Sequence, residues 1–289
     1  MKLRMATRGS ALALAQSGIL AAELKALEPG LEIETVVIKT SGDRFSAANP
    51  DAPIAPAGGA KGLFIKEIEE ALRRGEADFA VHSGKDLPAA LAPGLKIAAY
   101  PKREDARDAF IGRGGAALKD LPQGARVATA SLRRQIQLKR ARPDLAFIVM
   151  RGNVDTRLRK LTEGQCDGLV LAEAGLKRLG RAEVKRELLS VELMVPAPAQ
   201  GALAVETRAE DSEAARLVAR LDDAATRAAV ELERGVLEAV GGGCHTPLGV
   251  YARDGVVDAF LSKADGADAR RVTRRGASAV EIAAALRGA

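Results

Sequence analysis

The sequence VATASLRRQIQLKRARPDLAFIVMRGNVDTR, residues 127–157, decides how the middle of the chain folds. It contains two strand-like runs, 127–130 and 145–150, each followed by a polar hinge and a helix-like segment. Ser131 and Asn153 stand where the two helices begin, and both are good N-cap residues because their side-chain oxygens can accept from first-turn N–H groups. The alternation predicts parallel strands with helices packed on both faces of a sheet.

Arginines occupy the first turn of both predicted helices or the hinge just before it. Arg133 and Arg134 follow the first strand, and Arg151 and Arg157 follow the second. A helix N-terminus already carries partial positive charge, so each cation opposes the helix dipole by about 0.3–1 kcal/mol. An anion held between the helix ends and the arginines would account for this pattern. The stretch therefore predicts an anion-binding site.

Composition favours a globular protein of several domains. At 289 residues the chain exceeds the ~100–150 residues of one typical core, so two or three domains are expected. The first ten residues lack the apolar core of a signal peptide, and no run approaches the ~18 apolar residues of a membrane span. The two cysteines offer neither a disulfide framework nor metal-ligand spacing. We therefore expect a cytoplasmic protein without a metal site.

The net charge of +6 indicates an acidic partner. Nucleic acid is one candidate, but the chain has six Phe, two Tyr and no Trp, which leaves few aromatic platforms for stacking single strands. It also lacks zinc-finger and RNP-like motifs. A small polyanion is therefore the favoured ligand, and nucleic acid remains the alternative.

Strand and helix patterns alternate in two units joined by two crossings, the first at 101–107 and the second at 196–200. An aperiodic segment rich in Gly, Ala and Pro, 40–60, is predicted to be a lid. The fold class is therefore α/β, with two doubly wound domains of parallel strands and a small C-terminal α+β domain. The predicted boundaries are domain 1 over 1–101 and 200–220, domain 2 over 105–196, and domain 3 over 222–289.

Polar residues follow four strands of the two units. In open α/β sheets, ligands bind beyond the carboxyl ends of the strands, and these residues fall at that edge. For any one of them a solvated loop side chain explains the position equally well, but four strand ends in a row favour a polyanion cleft between two domains. The residues are Arg8, Ser10, Ser83, Lys85, Asp86, Thr129, Ser131, Arg133, Arg134 and Arg151.

Asp86 is the one carboxylate in this set, and it follows Lys85 directly. Cationic neighbours favour its ionised form. An ionised carboxylate among cations suits stabilising a cationic intermediate or relaying protons. It also suits a salt bridge that holds the loop, and the residues leave both interpretations open.

Cys244 follows three glycines, Gly241, Gly242 and Gly243, in a predicted turn between a helix and the final strands. A thiol in such a turn can be a nucleophile or an attachment point. It can also be a small buried core residue, the role we assign to Cys166. His245 is adjacent, and consecutive side chains rarely face each other. His82 ends an apolar strand and is expected to be packed or hydrogen-bonded, while Lys61 either closes on an anion or is solvated.

Nine motifs, in order over roughly residues 3–249, together resemble the porphobilinogen deaminase (hydroxymethylbilane synthase) family. Each motif alone is weak, but nine in order are specific. They are Thr7-Arg8-Gly9-Ser10 with Leu12-Ala13-Leu14-Ala15-Gln16, Lys61-Gly62-Leu63-Phe64, His82-Ser83-Gly84-Lys85-Asp86-Leu87-Pro88, Arg103-Glu104-Asp105-Ala106-Arg107-Asp108-Ala109-Phe110, Ser131-Leu132-Arg133-Arg134-Gln135, Arg151-Gly152-Asn153-Val154, Gly175-Leu176-Lys177-Arg178-Leu179-Gly180, Gln200-Gly201-Ala202 and Gly242-Gly243-Cys244.

The resemblance implies two domains like those of periplasmic binding proteins and a small third domain. It implies an enzyme that joins four porphobilinogen molecules head to tail into hydroxymethylbilane, in tetrapyrrole (haem) biosynthesis, with release of ammonia. The primer is a dipyrromethane cofactor bound covalently through a thioether, here to Cys244. By motif position Asp86 is the catalytic residue. A monomer that binds neither nucleic acid nor a membrane is expected.

The same resemblance assigns the binding residues. Those implied to hold the cofactor, besides Cys244, are Ser83, Lys85, Thr129, Ser131, Arg133, Arg134 and Arg157. Those implied to hold substrate are Arg8, Ser10, Gln16, Lys61, Arg151, Arg178 and Gln200. Each added pyrrole brings two more carboxylates, and arginine is well suited to carboxylate because it can bind both oxygens at once.

The sequence departs from the usual family pattern at a few positions. Gly84 stands where methionine is common, Ala199 replaces a glycine, and Gly241 stands where a larger residue is common. None of these changes removes Asp86 or Cys244. The alternative function, from another class, is a non-catalytic two-domain protein that binds a small polyanion.

Overall fold

The structure is a computed structural model that describes residues 1–43, 65–150, 152–210, 212–243 and 246–288. Its strands are β1 (Lys2–Arg8), β2 (Glu32–Ile38), β3 (Phe79–Ser83), β4 (Leu95–Ala99), β5 (Asp108–Gly112), β6 (Arg126–Ala128), β7 (Ala146–Ile148), β8 (Gly168–Ala172), β9 (Glu187–Leu188), β10 (Leu203–Arg208), β11 (Leu248–Arg253), β12 (Val256–Leu261) and β13 (Arg270–Arg275). Its α-helices are α1 (Ala11–Leu27), α2 (Lys66–Arg73), α3 (Leu132–Ala141), α4 (Val154–Thr162), α5 (Glu173–Arg178), α6 (Glu213–Ala219), α7 (Ala224–Ala239) and α8 (Ala279–Arg287).

Two five-stranded sheets have the same arrangement. The first has the order β2-β1-β3-β10-β4 and the second the order β7-β6-β8-β5-β9. In the first, β1 pairs in parallel with β2 and β3, and β10 runs antiparallel between β3 and β4. In the second, β6 pairs in parallel with β7 and β8, and β5 runs antiparallel between β8 and β9. Each antiparallel strand enters its sheet directly after one of the two crossings.

This arrangement confirms the α/β class with two periplasmic-binding-protein-like units, and it refines the prediction of parallel sheets. Each sheet is mixed, because the strand that follows each crossing runs antiparallel to its neighbours. The parallel strands still end at a common edge, so the residues after β1 and β3, and those after β6 and β8, are brought together. The predicted domain boundaries themselves remain a prediction.

The C-terminal unit is small and of the α+β type, as expected. The strands β11, β12 and β13 form an antiparallel meander. Helices α7 and α8 cover one face of it, where Val236 and Ile282 pack against Val250 and Val257. All four of these side chains are buried.

Helices cover both faces of the first sheet, so its central strands bury apolar side chains on both sides. The core on one face includes Leu3, Met5, Phe79 and Val205. The core on the other face includes Ala6, Ala80, Ile68 and Leu72. Alternate residues of β1 and β3 therefore enter different cores.

A buried carboxylate joins the C-terminal unit to both crossings. Glu233 of α7 accepts hydrogen bonds from Arg103 of the first crossing, at 2.7 and 3.0 Å. The same carboxylate accepts from the backbone N–H of Ala199 at 2.6 Å and from that of Ala252 in β11 at 2.8 Å. Burial raises the pKa of Glu233 although Arg103 opposes the change. Three of these four bonds fix the two crossings to one helix, and the fourth joins that helix to β11.

Two local predictions near the arginines were wrong in detail. The strand expected at 127–130 is β6, which ends at Ala128, because its pairing with both neighbours stops there. Asn153 caps α4 as predicted, since its side chain accepts from the N–H of Thr156 at 2.8 Å. Ser131 stands at the N-cap of α3, but its side chain makes no capping hydrogen bond.

Candidate active site

The carboxyl edges of the two large sheets face a cleft of about 680 Å³. It brings together eight of the residues that the sequence analysis singled out. From the first unit these are Arg8, Ser10, Gln16, Ser83 and Lys85, and from the second they are Arg134, Arg157 and Arg178. A volume of this size falls in the range of about 300–1,000 Å³ that is usual for small-molecule sites.

Asp86 lines a smaller cavity of about 60 Å³ beside the cleft. Arg8, Ser10, Gln16 and Ser83 line both spaces. Among the residues described by the structure, Asp86 is the only carboxylate that lines the smaller one. The predicted carboxylate therefore stands beside the predicted cations.

The Gly84–Asp86 turn, one turn of 3-10 helix directly after β3, presents Lys85 and Asp86 at this edge. Both side chains are exposed. The N–H of Gly84 donates to the carbonyl of Ala202 at 2.9 Å, which fixes the start of the turn to the chain entering β10. The turn therefore takes its position from the second crossing as well as from β3.

Lys85 has an unusual electrostatic environment. Water can reach Lys85 through the cleft, but protein encloses the ammonium group at longer range, and this loss of bulk hydration lowers the pKa of Lys85 to about 8. The charge of Arg134 lowers it further, while the carboxylate of Asp86 opposes the change. A ligand carboxylate beside Lys85 would reverse much of this penalty.

Arg8 and Gln16 are held in position by neighbours in the first unit. Arg8 donates to both carboxylate oxygens of Asp43, at 2.5 and 3.4 Å, and Asp43 also accepts from the hydroxyl of Thr40 at 2.7 Å. Burial alone would raise the pKa of Asp43, but the hydrogen bonds from Arg8 and Thr40 outweigh it and hold the pKa below its usual value. The buried amide of Gln16 contacts the Ser83 hydroxyl at 2.9 Å. The two side chains are thereby oriented at the cleft wall.

The cations on the opposite wall are held by backbone carbonyls. Arg178 of α5 donates to the carbonyl of Gly201 at 2.6 Å, and Arg157 of α4 donates to that of Gly152 at 2.9 Å. Burial lowers the pKa of Arg178 to about 10, so the group remains cationic at neutral pH. A cation that is already desolvated and oriented loses little entropy when it binds a carboxylate.

Arg133 and Arg134 share one buried carboxylate that the sequence analysis missed. Arg133 donates to Asp108 at 2.7 Å, and Arg134 donates to it at 2.9 and 2.6 Å. Gln200 adds a fourth hydrogen bond to Asp108, at 3.0 Å. Burial alone would raise the pKa of Asp108, but the two guanidinium groups outweigh it and hold the pKa well below the usual range. The signal in the sequence was a single carboxylate at the start of an otherwise apolar strand, β5.

The structure does not bring every predicted residue to the cleft. Thr129, Ser131, Arg133 and Gln200 are outside its lining residues. The side chain of Gln200 is buried and donates to the carbonyl of Ala106 at 2.7 Å in addition to its bond with Asp108. The predicted site residues Lys61, Arg151 and Cys244, and residues 44–60 of the predicted lid, lie outside the described residues.

His82 is hydrogen-bonded within the protein, as the sequence indicated. Its Nε2 lies 2.9 Å from the carboxylate of Glu206 in β10, and both side chains are buried. His82 also lines the small cavity that contains Asp86. An internal partner therefore holds this lining residue of the small cavity.

Comparison with known proteins decides the family. Residues 3–216 match the model described as porphobilinogen deaminase, dipyromethane cofactor binding domain, and residues 227–287 match that of the porphobilinogen deaminase C-terminal domain. The porphobilinogen deaminase of Roseiflexus castenholzii is 52% identical over 250 residues, which cover 86% of this chain and 81% of that protein. The chain belongs to the porphobilinogen deaminase family. The Sorangium cellulosum porphobilinogen deaminase is 50% identical over 278 residues, covering 95% of this chain and 91% of that one.

Among solved structures, an ancestral cationic amino acid solute binding protein aligns with 76% of this chain and 87% of its own, at 15% identity and a TM-score of 0.46.

Family membership establishes the activity. A porphobilinogen deaminase is a transferase of tetrapyrrole biosynthesis that joins porphobilinogen molecules into hydroxymethylbilane, releases ammonia and carries a dipyrromethane cofactor. The resemblance identified from nine sequence motifs is therefore confirmed. The alternative of a non-catalytic binding protein is not favoured, because the relatives are porphobilinogen deaminases over most of their length.

Proposed function

We propose that the cleft is where this porphobilinogen deaminase holds its dipyrromethane cofactor and the growing pyrrole chain, with Asp86 as the catalytic carboxylate. The observation that supports this most directly is the charge of the lining. Among the described residues that line the cleft, seven are Lys or Arg and two are Asp. Each pyrrole unit carries two carboxylates, so an excess of cations fits the ligand.

The cofactor site is proposed to include Cys244 as the attachment point, with Ser83, Lys85, Arg134 and Arg157 around it. Ser83, Lys85, Arg134 and Arg157 all line the cleft. When bound, the cofactor supplies the pyrrole to which the first substrate is joined. Thr129, Ser131 and Arg133 would support this wall from behind, since Arg133 and Arg134 share Asp108.

Asp108 leaves Arg134 able to bind a further anion. Arg134 donates from Nε and Nη2 to Asp108 and from Nη1 to the carbonyl of Val170, which uses three of its N–H groups. A guanidinium group has five N–H donors, so two remain. Asp108 therefore orients the group without using all of its donors.

Asp86 is proposed to act on the substrate carbon that loses ammonia. Departure of ammonia leaves a cationic carbon on porphobilinogen, and a fixed carboxylate at that place stabilises the developing charge. The ring carbon of the pyrrole that donates its electron pair to this cationic carbon must then lose its own hydrogen as a proton, and the same carboxylate is suited to accept it. Arg8 lines the small cavity together with Asp86, and Lys85 precedes Asp86 in the same turn, so two cations lie close to this carboxylate.

Substrate carboxylates are proposed to be held by Arg8, Ser10, Gln16 and Arg178. The first three line the cleft from the first unit and Arg178 lines it from the second, so a bound substrate would connect the two walls. Lys61 and Arg151 are proposed to contribute as well, on the basis of sequence motifs. The proposed contribution of Gln200 is indirect, through Asp108.

The remaining proposals concern partners and location. No helix within the described ranges combines the length and the apolar character needed to cross a membrane. We propose a cytoplasmic monomer that binds no nucleic acid, because the cations of the site are directed at a small cleft.

Intact-mass analysis tests the cofactor attachment. We expect the purified protein to carry the additional mass of one dipyrromethane, and the Cys244→Ser protein to lack it, because a hydroxyl is a far weaker nucleophile than a thiolate. The matched control is Cys166→Ser, which changes the other cysteine, a buried residue of the second unit's core. An adduct that survives in Cys244→Ser, or disappears in Cys166→Ser, would assign the attachment to another residue.

The pKa of Lys85 offers a second test. In the Cys244→Ser protein we expect Lys85 to titrate with a pKa of about 8, and in the cofactor-bearing protein at a higher pH, because a neighbouring carboxylate favours the ammonium form. Competitive acetylation across pH, read by peptide mass spectrometry, measures this, since only the neutral amine reacts. Lys177 is the internal control: its hydrogen bond to Glu104 raises its pKa outside the cleft, and the two proteins should agree there. An unchanged pKa of Lys85 would remove it from the cofactor site.

A further inference from the structure

The second crossing touches the Gly84–Asp86 turn through a tight contact between two small residues. A Cβ atom built on Gly84 would lie 3.0 Å from the Cβ of Ala199, 3.2 Å from the carbonyl oxygen of Ala199 and 3.3 Å from that of Ala202. A side chain at position 84 would therefore be crowded by the methyl group of Ala199 and by two backbone carbonyls. The N–H of Gly84 also donates to Ala202 at 2.9 Å, so the contact is fixed on both sides.

Ala199 holds this position in a backbone conformation that alanine disfavours. Its φ is +58°, in the left-handed region, where a Cβ atom is strained. Asp254 and Asp268 are the other non-glycine residues with positive φ in the described part of the chain, and aspartate tolerates this region. Ala199 differs from both because it is 1% exposed. A glycine would adopt this φ without strain, so the backbone itself does not require the methyl group.

The strained backbone is held in place by the C-terminal unit. The N–H of Ala199 donates to the buried carboxylate of Glu233 at 2.6 Å, and Arg103 and Ala252 donate to the same carboxylate. A continuous path of contacts thus runs from helix α7 through Ala199 to Gly84. Residue 84, being glycine, has little conformational preference of its own, and the turn needs support from outside.

We infer that Ala199 and Gly84 are matched positioning residues for the reaction. The methyl group of Ala199, which faces the side-chain position of Gly84, sets the orientation of the Gly84–Asp86 turn and thereby the places of Lys85 and Asp86. The inference rests on the proposed function of Asp86. It assigns to the second crossing an indirect role in catalysis, since Ala199 does not itself line the cleft.

The test is a cycle of Ala199→Gly, Gly84→Ala and the double variant, measured by kcat, KM and the thermal unfolding midpoint. Each single variant should lose about tenfold in kcat with KM within about twofold, since an ångström of displacement from the reactive geometry can cost ~100-fold. The unfolding midpoint of Ala199→Gly should not fall, because glycine relieves the positive φ. The double variant should return to within about threefold of the wild-type kcat, because removing the methyl group at position 199 relieves the 3.0 Å contact that a new methyl group at position 84 would make.

Ala197→Gly is the matched control, because it makes the same change two residues earlier. The three atoms nearest to a Cβ on Gly84 belong to Ala199 and Ala202, so this control should keep the wild-type kcat. A double variant whose loss is the product of the single losses, or an Ala199→Gly variant with wild-type kcat, would overturn the inference. Turnover by Asp86→Asn separates the two levels: an active Asp86→Asn protein defeats the proposed function itself. If the Asp86→Asn protein is inactive and the Ala199→Gly protein keeps the wild-type kcat, only the positioning role is defeated.

Discussion

Replacing Asp86 by asparagine is expected to lower kcat by about 100- to 10,000-fold, the range usual for a group that transfers protons in the transition state. The change keeps the size and shape of the side chain but removes the negative charge. Asparagine can neither stabilise the cationic carbon left by ammonia nor accept the proton of the new pyrrole. Because Asp86 is exposed, the substitution creates no buried unpaired group, and the fold should be unaffected.

Two measurements on the same Asp86→Asn protein separate catalysis from assembly. Intact mass should still show the dipyrromethane adduct, and the rate of porphobilinogen consumption should fall. Asp120→Asn is the control, because it removes one negative charge from an exposed residue outside both cavities and should leave the rate unchanged. A variant that retains its adduct and consumes porphobilinogen at a near-normal rate would exclude Asp86 as the catalytic carboxylate.

The cleft could be predicted from the sequence because its signal is local. Arg8 and Ser83 are the last residues of β1 and β3, Lys85 follows β3 closely, and the topology of an open α/β sheet brings strand ends to one edge. The periodicity of apolar residues predicted the strands, and the rule that ligands bind at the carboxyl ends of such strands predicted which side chains line the cleft. Residues that act by standing at a strand end can therefore be found without knowing their partners.

Partners distant in the chain could not be predicted in this way. Asp108 stands 25 residues before Arg133 in the sequence, and nothing near Arg133 indicates their contact. The sequence analysis therefore treated both arginines as ligands of an external anion, whereas the structure shows that they share an internal one. Arg8 is similar, since its partner Asp43 lies 35 residues away. Sequence patterns show where charge accumulates, and only the fold shows which charges neutralise each other.

The contact between Gly84 and Ala199 shows the same limit. Each residue was recognised as a departure from the family pattern, and the two were treated as separate. They are 115 positions apart in the chain, but a side chain at one would meet the methyl group of the other at 3.0 Å. Their sizes are therefore related by packing, which a single sequence does not reveal.

Replacing Asp108 by asparagine is expected to lower the free energy of unfolding by about 3–5 kcal/mol, the usual cost of removing one partner from a buried ion pair. Arg133 and Arg134 would remain buried without the carboxylate that accepts hydrogen bonds from both at 2.6–2.9 Å. The amide of Gln200, which also donates to Asp108, would face an uncharged group. Urea unfolding at neutral pH measures the loss.

Asp144→Asn is the matched control, because Asp144 also accepts two hydrogen bonds from one arginine, Arg142, at 2.8 and 2.7 Å. That pair lies at the surface, where water and salt screen the charges, so a much smaller loss is expected. Similar losses in the two variants would show that burial does not determine the contribution of the Asp108 cluster.

The pH dependence of the Asp108→Asn difference identifies its electrostatic origin. The pKa of Asp108 is lowered in the folded protein by Arg133 and Arg134 against the effect of burial, so the folded state binds fewer protons than the unfolded state as pH falls. The stabilisation is therefore fully present above the unfolded pKa of about 3.9 and is lost as pH falls below it towards the folded value. The gap between wild type and Asp108→Asn should stay constant from neutral pH down to about pH 5 and narrow below about 3.9. A gap that is independent of pH throughout would mean that the variant loses packing, and that the charge of Asp108 does not hold the two arginines in place.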